Sequence, residues 1–317
     1  MLRPTFLLSF GLSLGLAAAL QAAHFDVEQE PDGVTVKLNG KLFTRYVIKS
    51  GAKPILWPII GPSGDEVTRQ YPMRKAGEDE KADHPHQRSC WFTHGDVNGV
   101  SFWDEGGKHG DIVQREFGQV KGGDQAVIVT RNDWVGPDGK KQCEDQRTVT
   151  FGVDGDSVWF DFDITLTATD GPVKFGDTKE GTFGIRVAGT MNVDAKLGGR
   201  IINSDGATDG SAWAKAAAWC DYQGPVKGKT VGIAVMNHPS SFRYPTYWHV
   251  RTYGLFAANP FGVSDFTKAA KGAGAYTLEA GKSLTLNYRV LIHPGDEKLG
   301  RVAEVFEAYA KTKKTGT

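Results

Sequence analysis

Between Val158 and Thr167 the chain alternates strictly, with Val158, Phe160, Phe162, Ile164 and Leu166 on one side and Trp159, Asp161, Asp163, Thr165 and Thr167 on the other. A period of two predicts an antiparallel strand with one buried face. Leu284–Ile292 repeats the pattern, and Phe25–Ile48 alternates on both sides of Asn39-Gly40, a strong hairpin signal. Further runs, Val127–Arg131 and Thr148–Phe151, lie between the turn signals Gly122-Gly123-Asp124 and Pro137-Asp138-Gly139. Helical spacing is clear only over Asp296–Lys311, where Leu299, Val302, Val305, Phe306 and Tyr309 share a stripe, acids open the segment and lysines close it. Ser211–Trp219 is open between a short helix and a loop. Lys53–Lys81, with four prolines, reads as an irregular connection of the kind that covers or forms sites.

Strands at short intervals without intervening helices predict an all-β fold, a large antiparallel β-sandwich with a short C-terminal helix at about 296–311. Residues 24–317 are expected to form one such domain. Forty glycines against four methionines fit a protein of sheets and turns.

The first residues read differently. Arg3, the apolar run that follows and the small residues Ala17–Ala23 make a signal-peptide pattern over 1–23, with cleavage open between Ala19, Ala22 and Ala23. A periplasmic or secreted protein is expected. The apolar run is short for a membrane anchor and no later segment could span a bilayer. Lys+Arg and Asp+Glu are both 37, so no bulk field attracts nucleic acid or an anionic membrane. Cys90, Cys143 and Cys220 leave two options open, one disulfide with a free thiol or three buried thiols.

Candidate chemistry is densest over residues 83–105. His84-Pro85-His86 in extended backbone would aim both imidazoles to one side, and with His94 they could hold copper or zinc. The competing reading makes them substrate contacts or structural histidines. His94, Asp96 and Asn98 lie among turn-forming glycines and, with Glu105, offer acid–base groups; the alternative for Asp96 and Asn98 is a turn that satisfies backbone amides. Residues 237–251 form a second cluster, in which His238, Arg243, Tyr247, Trp248, His249 and Arg251 combine aromatic faces with forked donors suited to a sugar. Asp177–Gly181 is a polar break in which Glu180 is either a catalytic carboxylate or part of a solvated turn.

The segments Asp83–Gly99, Gly232–Pro239, Pro245–Arg251 and Gly254–Gly262 resemble signature blocks of the bacterial family labelled methane oxygenase PmoA, over about Leu56 to His293. Gln87 stands where that family usually has His, and Asn237 where Asp is common. The resemblance implies exported proteins associated with polysaccharide breakdown. It does not imply the membrane oxygenase behind the label, which needs several membrane spans. By analogy, the sandwich of mutarotase-like carbohydrate enzymes is the architecture to compare.

The leading expectation is a secreted carbohydrate-active enzyme whose two clusters face each other across one site, with a carbohydrate ligand and no required cofactor. His84, His86, His94 or His238 would supply acid–base catalysis, complemented by Asp96 or Glu105. Arg88, Asn98, Arg243, His249 and Arg251 would bind hydroxyls or a sugar carboxylate, while Trp103, Tyr247 or Trp248 would stack. The alternatives are a non-catalytic glycan-binding protein and a copper or zinc oxidoreductase, the latter helped by His24 if cleavage follows Ala23.

Overall fold

The alternating runs become strands that pair only antiparallel. The computed structural model describes residues 22–77 and 79–314, so the segment expected to be a signal peptide lies outside the described residues except for Ala22 and Ala23. The first strands are β1 (Phe25–Glu30), β2 (Gly33–Leu38), β3 (Lys41–Ser50), β4 (Lys53–Ile59), β5 (Cys90–His94) and β6 (Asp111–Lys121). They are followed by β7 (Ala126–Val135), β8 (Lys141–Asp154), β9 (Ser157–Thr167), β10 (Val173–Phe175), β11 (Gly181–Arg186) and β12 (Arg200–Asn203). The last are β13 (Trp219–Val226), β14 (Lys229–Asn237), β15 (Tyr247–Val250), β16 (Leu255–Asn259), β17 (Tyr276–Leu278) and β18 (Ser283–Pro294). Two α-helices are present among the described residues, α1 (Val263–Thr267) and α2 (Val302–Ala310).

One eight-stranded sheet runs β1-β2-β3-β4-β5-β11-β16-β15 and the other β12-β13-β14-β18-β9-β8-β7-β6, with a two-stranded β10-β17 ribbon beside them. The protein is an all-β, antiparallel sandwich with a short C-terminal helix. The two clearest alternating segments are neighbours, β9 and β18, with Phe162 opposite Tyr288. Their apolar faces meet those of the other sheet in one core, where Phe92, Phe162, Phe183 and Tyr288 follow one another at ring separations of 6.3, 4.8 and 4.9 Å. The Asn39-Gly40 hairpin forms, both residues having positive φ as its mirror-image turn demands.

Two local expectations change and one left open takes a form. The start of the Lys53–Lys81 connection is a strand, β4, despite Pro54 and Pro58. Its ladder to β5 consists of only two residue pairs and its register with β3 is broken, so prolines without an N–H are tolerated. The Ser211–Trp219 region begins as a 3₁₀ turn, Asp209–Ala212. The C-terminal helix starts at Val302 rather than near Asp296, because the Asp296 carboxylate accepts from the backbone of Lys298 and Leu299 in a turn that ends at Arg301, in left-handed conformation. Leu299 is therefore exposed, while Val302, Val305 and Tyr309 pack on the outer face of the β12–β6 sheet. The cysteines are buried free thiols with no disulfide among them.

Candidate functional site

The outer face of the β1–β15 sheet is overlaid by loops and, at its β15 edge, by α1, whose Phe266 meets Tyr247 and His249 at 5.5 and 6.3 Å. Because Phe92, Phe183, Ile185, Phe256, Trp248 and Val250 point into the core, the opposite phase carries Trp91, Gly184, Arg186, Leu255, Ala257, His249 and Arg251 outward. Gly184 faces Trp91, and a Cβ there would come within 2.6 Å of the indole. Trp91 packs on Trp103 at 5.4 Å and, with Ile55, Leu255 and Ala257, makes an apolar base for the loops above it.

Two buried arginines shape the His84–Gln87 loop. Arg69 donates to the carbonyls of Asp83, His84 and Gln87 and to the Asp83 carboxylate at 3.0 Å. Arg186 donates to the Gln87 side chain and reaches Asp83 at 3.4 Å. Burial, reinforced by the neighbouring Arg69 charge, pushes Arg186 down to about 10. Held in this way, His84 adopts positive φ and Gln87 N–H closes a turn onto its carbonyl at 2.9 Å. The two histidines meet through a turn, with ring centroids 5.8 Å apart, and not through the extended backbone expected from His-Pro-His.

Facing this loop across a cavity of about 360 Å³ are Lys179 and Glu180, which precede β11, and His249, Arg251 and Tyr253 from the β15–β16 hairpin. Gln87 and Asp104 complete the lining with His84 and His86. The volume is in the range of small-molecule sites. His249 Nδ1 donates to the Lys179 carbonyl at 2.8 Å, which leaves Nε2 as the atom with a lone pair. Burial pushes His249 down to about 4, and the charges of Arg251 and Lys179 act in the same direction, so its imidazole is neutral at pH 7. Burial also lowers His86, with Lys53 adding to it and Asp104 opposing it. Lys179 Nζ pairs with Glu180 at 2.8 Å. Tyr253 is stacked by His84 at 5.4 Å and approached by Arg186 at 4.6 Å.

The cavity thus joins His84 and His86 from the first cluster to His249 and Arg251 from the second. The other expected site residues lie elsewhere. His94 points into the core against Phe261 and Phe175, its Nε2 donates to the Gly176 carbonyl at 2.9 Å, and burial pushes it down to about 4. Asp96 accepts from Gly99 N–H and Asn98 from Lys174 N–H, so both serve turns. Glu105 is locked between buried Lys53 at 2.7 Å and Arg88 at 2.6 Å, which ties up Arg88 as well. Trp103 is buried beneath His86. His238 lies at the other sheet, edge-on to Tyr309 of α2. Arg243 is spent on the carbonyls of Pro260, Gly274 and Ala275. Tyr247 stacks on Phe266, and Trp248 is a core residue that donates to the Ala217 carbonyl.

The metal set His84, His86 and His94 does not assemble, because His94 is on the opposite face of the sheet from the cavity. Among the described residues no group of three His, Cys, Asp or Glu side chains is arranged to hold a metal. His24 Nε2 is 3.3 Å from Asp26, at the β1 edge of the sheet, opposite the β15 edge that carries His249. Sequence reasoning missed Arg69, Arg186, Gln87, Asp104, Lys179 and Tyr253 as site residues. Arg186 was legible, since Phe183 and Ile185 set the apolar phase of β11 and place it on the other side; Arg69 and Tyr253 carried no pattern at all.

A family model matches residues 33–307, and its description is a family of unknown function, DUF6807. That overturns the expected membership in the methane oxygenase PmoA family, since the matching family carries no oxygenase assignment. No curated protein matches the sequence. Among solved structures, a galactose mutarotase-like protein from Lactobacillus casei is 10% identical, with 85% of this chain and 100% of that one covered, at a TM-score of 0.39. A galactose mutarotase-like protein from Clostridium acetobutylicum is 9% identical, with coverages of 86% and 98% and a TM-score of 0.36. The α-galactosidase of Lactobacillus brevis is 10% identical, with coverages of 87% and 40% and a TM-score of 0.36. With its match over residues 33–307, the chain belongs to the family of unknown function DUF6807.

Proposed function

We propose that the protein is a secreted carbohydrate-active enzyme that works by histidine acid–base chemistry in the cavity on the outer face of the β1–β15 sheet. The observation that supports this most is the meeting of His84 and His86 with His249 and Arg251 around one polar cavity. A sugar presents many hydroxyls, and such a wall offers donors and acceptors for them. His249 is the base in this reading. Its Nδ1–H is fixed on the Lys179 carbonyl, its ring is neutral at pH 7, and Nε2 can accept a proton from a bound hydroxyl or ring carbon. His86, across the cavity, exchanges the second proton; burial lowers its proton affinity and the nearby Asp104 opposes that in part. Lys179 and Glu180 flank the reacting group and bind hydroxyls. Export through a signal peptide belongs to the same proposal.

The test is a panel of oligosaccharides offered to the purified protein and to His249→Gln, with product formation followed by chromatography. Turnover by the wild type and a loss of about 10²-fold or more in the variant are expected for a general base. Saturable binding without turnover, equal in both proteins, would instead make it a non-catalytic glycan binder.

A further inference from the structure

Among the buried and half-buried arginines of this protein, four are held by carboxylates, Arg69 by Asp83, Arg88 by Glu105, Arg147 by Asp145 and Arg289 by Asp161, at 3.0, 2.6, 2.9 and 2.6 Å, while Arg186 donates to the Gln87 side chain and Arg243 to backbone carbonyls. Arg251 differs. It is half-buried in the cavity wall, its guanidinium lies 5.7 Å from the Tyr253 ring centroid and 5.8 Å from that of Trp213, and no carboxylate or carbonyl among the described residues accepts from it. Two aromatic neighbours restrain the side chain without satisfying its donors. A guanidinium presents a planar fork of N–H groups that matches the two coplanar oxygens of a carboxylate.

The rest of the cavity divides its charges. Lys179 and His249 lie at the Arg251 end, and their proximity shows in the way Arg251 and Lys179 both disfavour the His249 imidazolium. Asp104 is associated with His86 and Lys53 at the other end. Glu180 is already engaged by Lys179. Among the described residues the aromatic rings near the cavity are already engaged: Trp91, Trp103 and Trp248 are buried, Trp213 lies beneath the Arg251 guanidinium and Tyr253 is stacked by His84. Recognition must therefore come from charge and hydrogen bonds more than from stacking.

From the unpartnered fork we infer that the sugar taken by this cavity carries a carboxylate, a uronic acid unit, docked on Arg251 beside His249. This rests on the carbohydrate reading above and narrows it to acidic sugars. A single planar fork suits two coplanar oxygens better than the three of a sulfate ester.

Calorimetric titration of the whole protein with uronic acid disaccharides, their methyl esters, the corresponding neutral disaccharides and a sulfated disaccharide tests it. The acids should bind about tenfold or more tighter than the esters and neutral sugars, as expected for loss of a charge-assisted bidentate pair. Arg251→Gln should abolish that preference and Arg251→Lys keep part of it, with circular dichroism checking the fold. The ester comparison needs no variant. Equal binding of acids, esters and neutral sugars would leave the sugar site standing and overturn the carboxylate. A preference for the sulfated sugar, or an acid preference that survives Arg251→Gln, would overturn it too. Failure of every sugar to bind would sink the carbohydrate reading itself.

Discussion

His94 and His249 both have their proton affinity pushed down to about 4 by burial, yet one is packed against phenylalanines and the other lines a cavity. What separates them is the phase of the strand. His94 follows Cys90 and Phe92 at steps of two and goes inward with them, whereas His249 is out of phase with Trp248 and Val250. The consequence for His94 is pH-dependent stability. An unfolded histidine titrates near the ordinary 6.5 and folded His94 near 4, so between these values the unfolded chain binds the extra proton. Stability falls as the pH drops through that window, by about 1.4 kcal/mol per pH unit for one proton, or about 3 kcal/mol from this residue once pH 4 is reached. His94→Gln, which keeps a donor for the Gly176 carbonyl, should flatten the denaturation-versus-pH curve between pH 6.5 and 4 by close to one proton. An unchanged slope in urea titrations at several pH values would refute the assignment. Its turnover, unlike that of His249→Gln, should stay within a few-fold of wild type.

At the scale of elements, the cavity depends on loops fixed to a rigid sheet. The 83–87 loop has no strand of its own; Arg69 gathers its backbone carbonyls and Arg186 holds the Gln87 side chain, both from neighbouring segments. Arg186→Met would leave Gln87 without its buried donor, at about 1–3 kcal/mol. Amide exchange should accelerate around His84–Arg88 and ligand affinity should fall, while protection of β9 and β18 stays unchanged. Uniform acceleration throughout the protein would mean that Arg186 supports the sandwich and not the loop. The β4 strand illustrates the same dependence on neighbours, since prolines that argued against a strand are accommodated where the ladder is thin.

Over the whole molecule, two sheets share a core that encloses the charged pair Arg147 and Asp145. Arg147 donates to Asp145 at 3.0 and 2.9 Å, and Trp134 and Asn132 donate to the same carboxylate at 2.7 and 2.6 Å. Asp145→Ala would strand the guanidinium in an apolar interior and should cost about 3–5 kcal/mol, seen as a large fall in denaturation midpoint. A shift under about 1 kcal/mol would show that water or another group replaces the carboxylate. The amino-acid sequence by itself determined the all-β class and the most regular strands with their buried faces. Alternation at Val158–Thr167 and Leu284–Ile292, the Asn39-Gly40 turn and the apolar stripe later found in α2 are local signals tied to backbone period. It also marked His84, His86, His249 and Arg251 as chemically capable. Tertiary structure alone decided which of them share a cavity. Side chains more than 160 residues apart, such as His84 and Arg251, meet only through the strand order β5-β11-β16-β15, and a period of two assigns a side chain to a face without saying what covers that face. The histidines with the same intrinsic chemistry, His94 and His238, were removed from the cavity by packing, and Arg251 was left there with no acceptor among the described residues.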